Sequence, residues 1–340
     1  MTKNITYLLG AGASYNACPI LNEQGEKMIE LAQTCPDFRN EKFIKKPENF
    51  DSNLDKVLWY IGYFGKKAKE LGTIDTYARK LYLNNSFPEL EELKIAVSLF
   101  FTVWQLTDDE KLKTLENRSI SEIDNRYISL FATILERNNY KIVMKDNINF
   151  VTWNYDLQLE YAFKLFTNNI DWDDLSNYLM FEFKGAYELK ICHLNGYHGY
   201  YKTSESSKET DFLDRTESKN INDILNKIGF INESNNKGSI DISGHINYAW
   251  EKSDLTLKTR EEAKRIFKQT DILIIIGYSF PNFNKEIDKS LFKELEGRKT
   301  EIYYQDPNAT DEFISELFNT ISAKIHPKKE INQFFLPYSF

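Results

Sequence analysis

The chain has 340 residues, of which 41 % are hydrophobic and 28 % charged; this balance supports a large packed core and excludes a mainly disordered polymer. A formal net charge of -8 gives no global positive field, so direct binding of nucleic acid by this chain is not expected. Three cysteines, Cys18, Cys35 and Cys192, are too few and too widely spaced for a disulfide framework or a four-cysteine zinc site, so no zinc and no other metal is expected.

The first residues lead straight into a short apolar strand rather than a signal peptide, and no apolar run approaches a membrane span. A cytoplasmic protein with no membrane contact is expected. Residues 5–9 form that strand, and Gly10-Ala11-Gly12-Ala13-Ser14 turns it sharply into a helix. Asn22 offers a cap for an amphipathic helix over 23–33, and Pro36 closes that segment.

From about 49 to 141 the apolar spacing is helical, as in Leu54, Val57, Leu58 and Ile61. No strand is expected there, and residues 40–145 are read as a helical insertion module within one domain spanning 1–340. The 24 Phe and 20 Tyr are scattered along such helical segments; they read as packing rather than as base-stacking platforms.

Strand character returns at 148–152, at 189–193, at 271–277 and at 301–304, with helices expected over 260–269, 285–295 and 311–325. The run Ile272-Leu273-Ile274-Ile275-Ile276 is continuously apolar, as in a strand covered on both faces. This alternation predicts an α/β, Rossmann-like doubly wound parallel sheet carrying the helical insertion. Residues 203–237, polar with one apolar patch, are expected to form a mobile surface excursion.

Chemistry is expected where strands end. Small residues in Gly10-Ala11-Gly12-Ala13-Ser14 allow a backbone to approach a diphosphate, although a structural turn needs the same glycines. Thr152-Trp153-Asn154-Tyr155-Asp156 sets an amide and a carboxylate two residues apart at a strand's carboxyl end, where open α/β sheets bind ligands. His193-Leu194-Asn195-Gly196 follows another strand, and a histidine beside a turn glycine is placed as an exposed base. Taken singly, Asn154 and Asp156 read as a helix cap and His193 as a satisfied core histidine.

Taken together, the glycine-alanine-glycine turn with its serine, the Thr152-X-Asn154-X-Asp156 box, the His193 box, the strand ending in Gly277-Tyr278-Ser279-Phe280 and the last strand ending near Asp306-Pro307-Asn308 resemble, in order, the motifs of the sirtuin family. The resemblance covers residues 1–35 and 148 to about 310. By its helical character, the region between resembles the insertion of bacterial sirtuin-like domains that serve antiphage defence.

The resemblance implies a substrate, NAD, and a reaction, hydrolysis to nicotinamide and ADP-ribose. Nicotinamide leaves as a neutral group, so the demand is for stabilising an oxocarbenium-like ribose and delivering water, without a general acid. It further implies that Gly10, Ala11, Gly12 and Ser14 hold the diphosphate and that Thr152 belongs to the cofactor pocket. Asn154 and Asp156 would serve the nicotinamide ribose and the attacking water, with His193 as base. Gly277 and Ser279 would meet a phosphate or the adenosine ribose, and Asn308 the adenosine end.

The paired cysteines of lysine deacylases and their acidic and basic loop after the glycine turn have no counterpart here, which disfavours deacylation. A free NAD hydrolase would starve its own cell. The resemblance therefore implies a trigger in trans, such as an Argonaute-like protein, a DNA-translocating ATPase or a nucleotide-sensing protein, acting on a homo-oligomer in abortive infection. Two alternatives are a catalytically silent module that binds NAD or ADP-ribose, and a defence nuclease subunit. The latter needs a metal-carboxylate cluster or a basic groove, neither of which is legible.

Overall fold

A computed structural model describes residues 2–113, 121–167, 170–182, 188–203, 209–211, 218–235, 240–241, 246–317 and 323–338. The chain forms two compact units: Met1–Asn16, Ile123–Gly196 and Ala249–Phe340 make the first, Ala17–Glu122 and Tyr197–Tyr248 the second.

The first unit is built on six parallel strands, β1 (Ile5–Leu9), β2 (Ile148–Thr152), β3 (Ile191–His193), β4 (Ile272–Ile276), β5 (Glu301–Gln305) and β6 (Lys324–Lys328). Their order across the sheet is β3-β2-β1-β4-β5-β6, the doubly wound Rossmann-like arrangement, in which the direction of winding reverses between β1 and β4. Helices Gln158–Lys164 and Trp172–Leu179 precede β3, Asp254–Gln269 precedes β4, and Lys285–Lys293 and Asp311–Leu317 follow β4 and β5. Every residue of β1 and of β4 is buried, as their apolar sequences require when both faces are covered. Leu8, Val151, Leu273 and Ile275 share one core with Phe267 and Phe292 from the helices.

Register decides where the strand ends fall. Leu9 pairs with Thr152 and with Ile276, Thr152 with His193, and Ile276 with Gln305. All the strand-end motifs therefore start from one row at the carboxyl edge.

At the winding reversal the turns after β1 and β4 press backbone on backbone. A Cβ on Gly10 would lie 2.6 Å from the Gly277 carbonyl oxygen, and one on Gly277 would lie 2.4 Å from the Ala13 nitrogen. Gly277 also has φ +57°, a left-handed conformation that favours glycine.

Three departures from the sequence reading have local causes. The stretch expected as helix over 311–325 is helical only to Leu317 in the described residues, and its end is strand β6. Pro327 lies in β6 and disguises it in the sequence; with no N–H to give, proline fits a strand at the sheet's edge, where β6 lies. Leu135–Asn138 and Lys141–Met144 form an antiparallel hairpin at the end of the 40–145 module, where no strand is expected. Asn139 (φ 46°) and Tyr140 (φ 68°) turn it, both in the left-handed region required by a tight two-residue hairpin loop, and its first strand is mostly exposed and gives no apolar alternation. Helix Leu21–Ala32 starts ahead of Asn22, capped by the Glu23 carboxylate, which accepts the Ile20 N–H at 3.0 Å.

The second unit contains helices Leu21–Ala32, Asn53–Leu71, Ile74–Leu83, Phe87–Leu106 and Ile221–Asn235, with a small antiparallel sheet of Tyr200–Thr203, Glu209–Asp211 and Ile240–Asp241. Of the polar excursion, 204–208, 212–217, 236 and 237 lie outside the described residues. Its apolar patch lies on helix Ile221–Asn235, where Ile221, Ile224, Leu225 and Ile228 are buried. Cys35, Asp37 and Asp55 bring potential ligand atoms within 4.8 Å of one another. Asp55 is already engaged at the start of helix Asn53–Leu71, where its carboxylate accepts from Ser52 Oγ at 2.7 Å. Among the described residues, no helix is long and apolar enough to cross a membrane.

Gly277→Ala is expected to destabilise the protein by more than about 2 kcal/mol, because strain at positive φ adds to a clash with backbone that cannot swing aside. Denaturant unfolding of the variant measures this; unchanged stability would show that the two turns separate easily.

Candidate functional site at the carboxyl edge of the sheet

The turn after β1 is a single 3-10 turn, Ala11–Ser14. The Gly10 N–H donates to the Ile276 carbonyl at 3.0 Å and the Gly12 N–H to the Gly277 carbonyl at 2.9 Å. Both glycines thus face the neighbouring turn, while Ala11 and Gly12 remain partly exposed. Ser14 is fully buried; its hydroxyl lies 3.1 Å from Tyr127 OH and receives the Asn154 amide at 3.3 Å.

Asn154 is set by the end of β2. Its N–H donates to Thr152 Oγ1 at 3.0 Å, closing a local turn that accounts for the threonine. Its Nδ2 donates to the Gly10 carbonyl at 3.0 Å as well as to Ser14. With the amide nitrogen tied to the β1 turn, Oδ1 is the acceptor left to meet a ligand.

Asp156 is buried, and its Oδ1 accepts the Gln158 N–H at 3.2 Å. Burial pushes its carboxyl up to about 6, against the opposing hydrogen bonds from Gln158 and Ser14. The carboxylate charge therefore changes within the range in which a base operates.

His193 ends β3, but it is buried rather than exposed. Its Nε2 lies 2.9 Å from Glu160 Oε1 and its Nδ1 3.4 Å from the Asn154 carbonyl oxygen. Burial pulls the imidazole down, yet the charge of Glu160 and its hydrogen bond outweigh this, and the net direction is upward. Arg260, from helix Asp254–Gln269, braces the following turn through the Leu194 carbonyl and Asn195 Oδ1, both at 3.4 Å.

The structure therefore joins Ser14, Thr152, Asn154, Asp156 and His193 in one connected group with Gly10. Gly277 touches that group through Gly10 and Gly12. Ser279 and Asn308 are exposed. The Asn308 N–H donates to its neighbour Asp306 at 2.9 Å, and no described contact brings either residue to Asn154. Tyr278 turns into the core, where it stacks on Trp153 at 5.9 Å and donates to Asp288 Oδ2 at 2.8 Å.

Several supports were not foreseen from the sequence. Glu160 is one; its only signal is an acidic residue four positions after Asp156, at the start of the next helix. Arg126 is another: its Nη2 donates to the Gly12 carbonyl at 3.2 Å and to the Ala13 carbonyl at 3.0 Å, and pairs with Asp124 Oδ2 at 2.6 Å. Asp124 accepts in turn from the Asn16 N–H at 3.2 Å and donates its own N–H to Gln158 Oε1 at 2.8 Å. This buried pair ties the turn after β1 to helix Gln158–Lys164. Asp124 and Arg126 lie over a hundred residues from the turn, so no local pattern announces them.

No protein-family model matches the chain, and no curated protein matches it. Among solved structures, it is similar to a triply substituted Sir2 homologue in complex with 2'-O-acetyl ADP ribose, with 11 % identity over 97 % of this chain and 88 % of that one and a TM-score of 0.37.

Because the folded carboxyl of Asp156 sits near 6 rather than its ordinary 3.8, ionising it destabilises the fold. That penalty is absent below about pH 4, grows as pH rises through about 6, and is constant above. Asp156→Asn is expected to match the wild type in stability at about pH 4 and to exceed it by about 2 to 3 kcal/mol above about pH 7. Thermal unfolding of both proteins across pH tests this; a gap that does not change with pH refutes it.

Proposed function

We propose that the chain hydrolyses NAD to nicotinamide and ADP-ribose at the carboxyl edge of the first unit's sheet. The observation that carries this reading is the convergence of Asn154, Asp156 and His193, which come from two different strand ends and meet through Ser14 and the Asn154 backbone. An open α/β sheet binds ligands at the winding reversal outside its carboxyl ends; the Gly10–Gly12 turn lies at that reversal, and Asn154, from the neighbouring strand end, is tied to it through the Gly10 carbonyl, which supports the reading.

The chemistry derives from the atoms each group offers. Asn154 Oδ1, held by its own amide nitrogen, orients a water at the anomeric carbon. Asp156 keeps a negative charge beside the developing oxocarbenium, where a buried carboxylate acts strongly. The carbon–nitrogen bond breaks with its electron pair on nicotinamide, water's oxygen bonds the sugar carbon, and one proton is released. His193 completes the group by holding the turn that carries Asn154. NAD enters as substrate and leaves cleaved.

We further propose that the chain is the effector of an antiphage abortive-infection system. It would work as a homo-oligomer in the cytoplasm and be held inactive until an Argonaute-like, DNA-translocating or nucleotide-sensing partner activates it. Uncontrolled hydrolysis of NAD is incompatible with growth, and this supports the need for a trigger. Full constitutive activity in a lone monomer on size-exclusion chromatography would contradict it.

The activated protein is expected to release nicotinamide from NAD, with Asn154→Ala slower by at least about 100-fold and His193→Ala also impaired. Chromatographic assay of nicotinamide decides the matter; both variants cleaving at the wild-type rate would overturn the assignment.

A further inference from the structure

Glu160 has no part in the sequence motifs, yet its placement is unusual. It is fully buried at the start of helix Gln158–Lys164. One carboxylate oxygen, Oε1, lies 2.9 Å from His193 Nε2, and the other, Oε2, is buried without a hydrogen-bond partner among the described residues. A buried carboxylate with one oxygen unsatisfied weakens a fold, so packing alone gives no reason for it.

The other side of the imidazole meets the Asn154 carbonyl at 3.4 Å. A carbonyl only accepts, so Nδ1 carries a hydrogen; the carboxylate at Nε2 accepts a second. Acceptors at both nitrogens select the doubly protonated ring. Among the described residues, Glu160, from its helix, and Asp156, from the turn after β2, act on His193 with their charges, both of the sign that keeps a proton on the ring. The charge of Asp156 acts in turn on the buried Tyr127 phenol, which burial and that charge keep protonated, and Phe181, whose ring meets the imidazole edge-on at 6.5 Å, is uncharged.

We propose that Glu160 is a positioning residue that holds His193 as an imidazolium bridging Glu160 and the Asn154 carbonyl, and that Asp156 accepts the proton of the attacking water. The division of roles rests on the NAD-hydrolase reading; the imidazolium–carboxylate pair does not. In the reaction, a water O–H bond breaks with its proton passing to the Asp156 carboxylate. The oxygen bonds the anomeric carbon, nicotinamide departs with the glycosidic electron pair, and Asp156 returns the proton to solvent. His193 exchanges no proton; with Glu160 it buttresses the turn that aims Asn154.

The chain has four histidines, so nitrogen-15 histidine labelling yields few imidazoles, and His193→Asn identifies the signal of His193. In the wild type at about pH 7.5 that ring is expected to show two N–H groups; in Glu160→Gln it is expected to be neutral, with a midpoint at least about one pH unit lower. A singly protonated His193 in the wild type, or an equal midpoint in Glu160→Gln, overturns the pair, and the wild-type measurement stands even if the variant fails to fold. On NAD, Glu160→Gln is expected to lower kcat by roughly 100-fold with KM little changed, Glu160→Asp to recover part of it, and the acid limb of the kcat profile to persist in both. Loss of that limb in Glu160→Gln would remove Asp156 from the proton step. A wild type that leaves NAD intact would refute the hydrolase reading while the imidazole spectra still judge the pair.

Discussion

Two backbone turns occupy a space at the centre of the sheet that admits no side chain between them. The turn after β1 lies against Gly277 at contacts well inside the reach of any Cβ, and both turns also hydrogen-bond across the gap. Since β1 and β4 are the strands at which winding reverses, this contact lies at the switch point where open α/β sheets bind ligands. Polar side chains from distant parts of the chain are anchored on or beside that turn. Asn154 reaches it through the Gly10 carbonyl, Arg126 through the Gly12 and Ala13 carbonyls, and Asp124 through the Asn16 N–H.

The polar groups behind this edge form a connected network rather than separate pairs. Ser14 links Asn154, Tyr127 and Asp156, and Gln158 links Asp156 to Asp124. Buried polar networks are costly unless their members are partnered, and satisfied ones are correspondingly rigid. Here the hydrophobic sheet provides the low-dielectric setting, and the network fixes which way the amide of Asn154 and the carboxylate of Asp156 can turn. The glycine turn consequently has a structural reason for its sequence that is separate from phosphate binding. Its hydroxyl, Ser14, acts inside the protein.

A tension runs through the same network. Asp156 is held where its charge is disfavoured, and Glu160 leaves an oxygen without a partner. Such features weaken a fold and are concentrated where a protein holds reactive groups in place. Asp156 and Glu160 stand four residues apart after β2, and the charges of both act on His193.

The fold class was legible in the sequence because buried parallel strands are mostly apolar runs; β4 is continuously apolar, and β1 and β2 are mostly so. The residues at their ends were legible too, since strand ends are where glycine, asparagine, aspartate and histidine interrupt such runs. β6 and the hairpin at 135–144 were not, because β6 contains Pro327 and the hairpin's first strand is mostly exposed and polar, which leaves one short apolar run beside it. Only the tertiary structure brought Glu160 to His193, Arg126 to the glycine turn and Tyr127 to Ser14. Hydrophobic periodicity is a property of neighbours along the chain, whereas a buried hydrogen-bond partner is selected by distance in space, across separations of 33 and 113 residues.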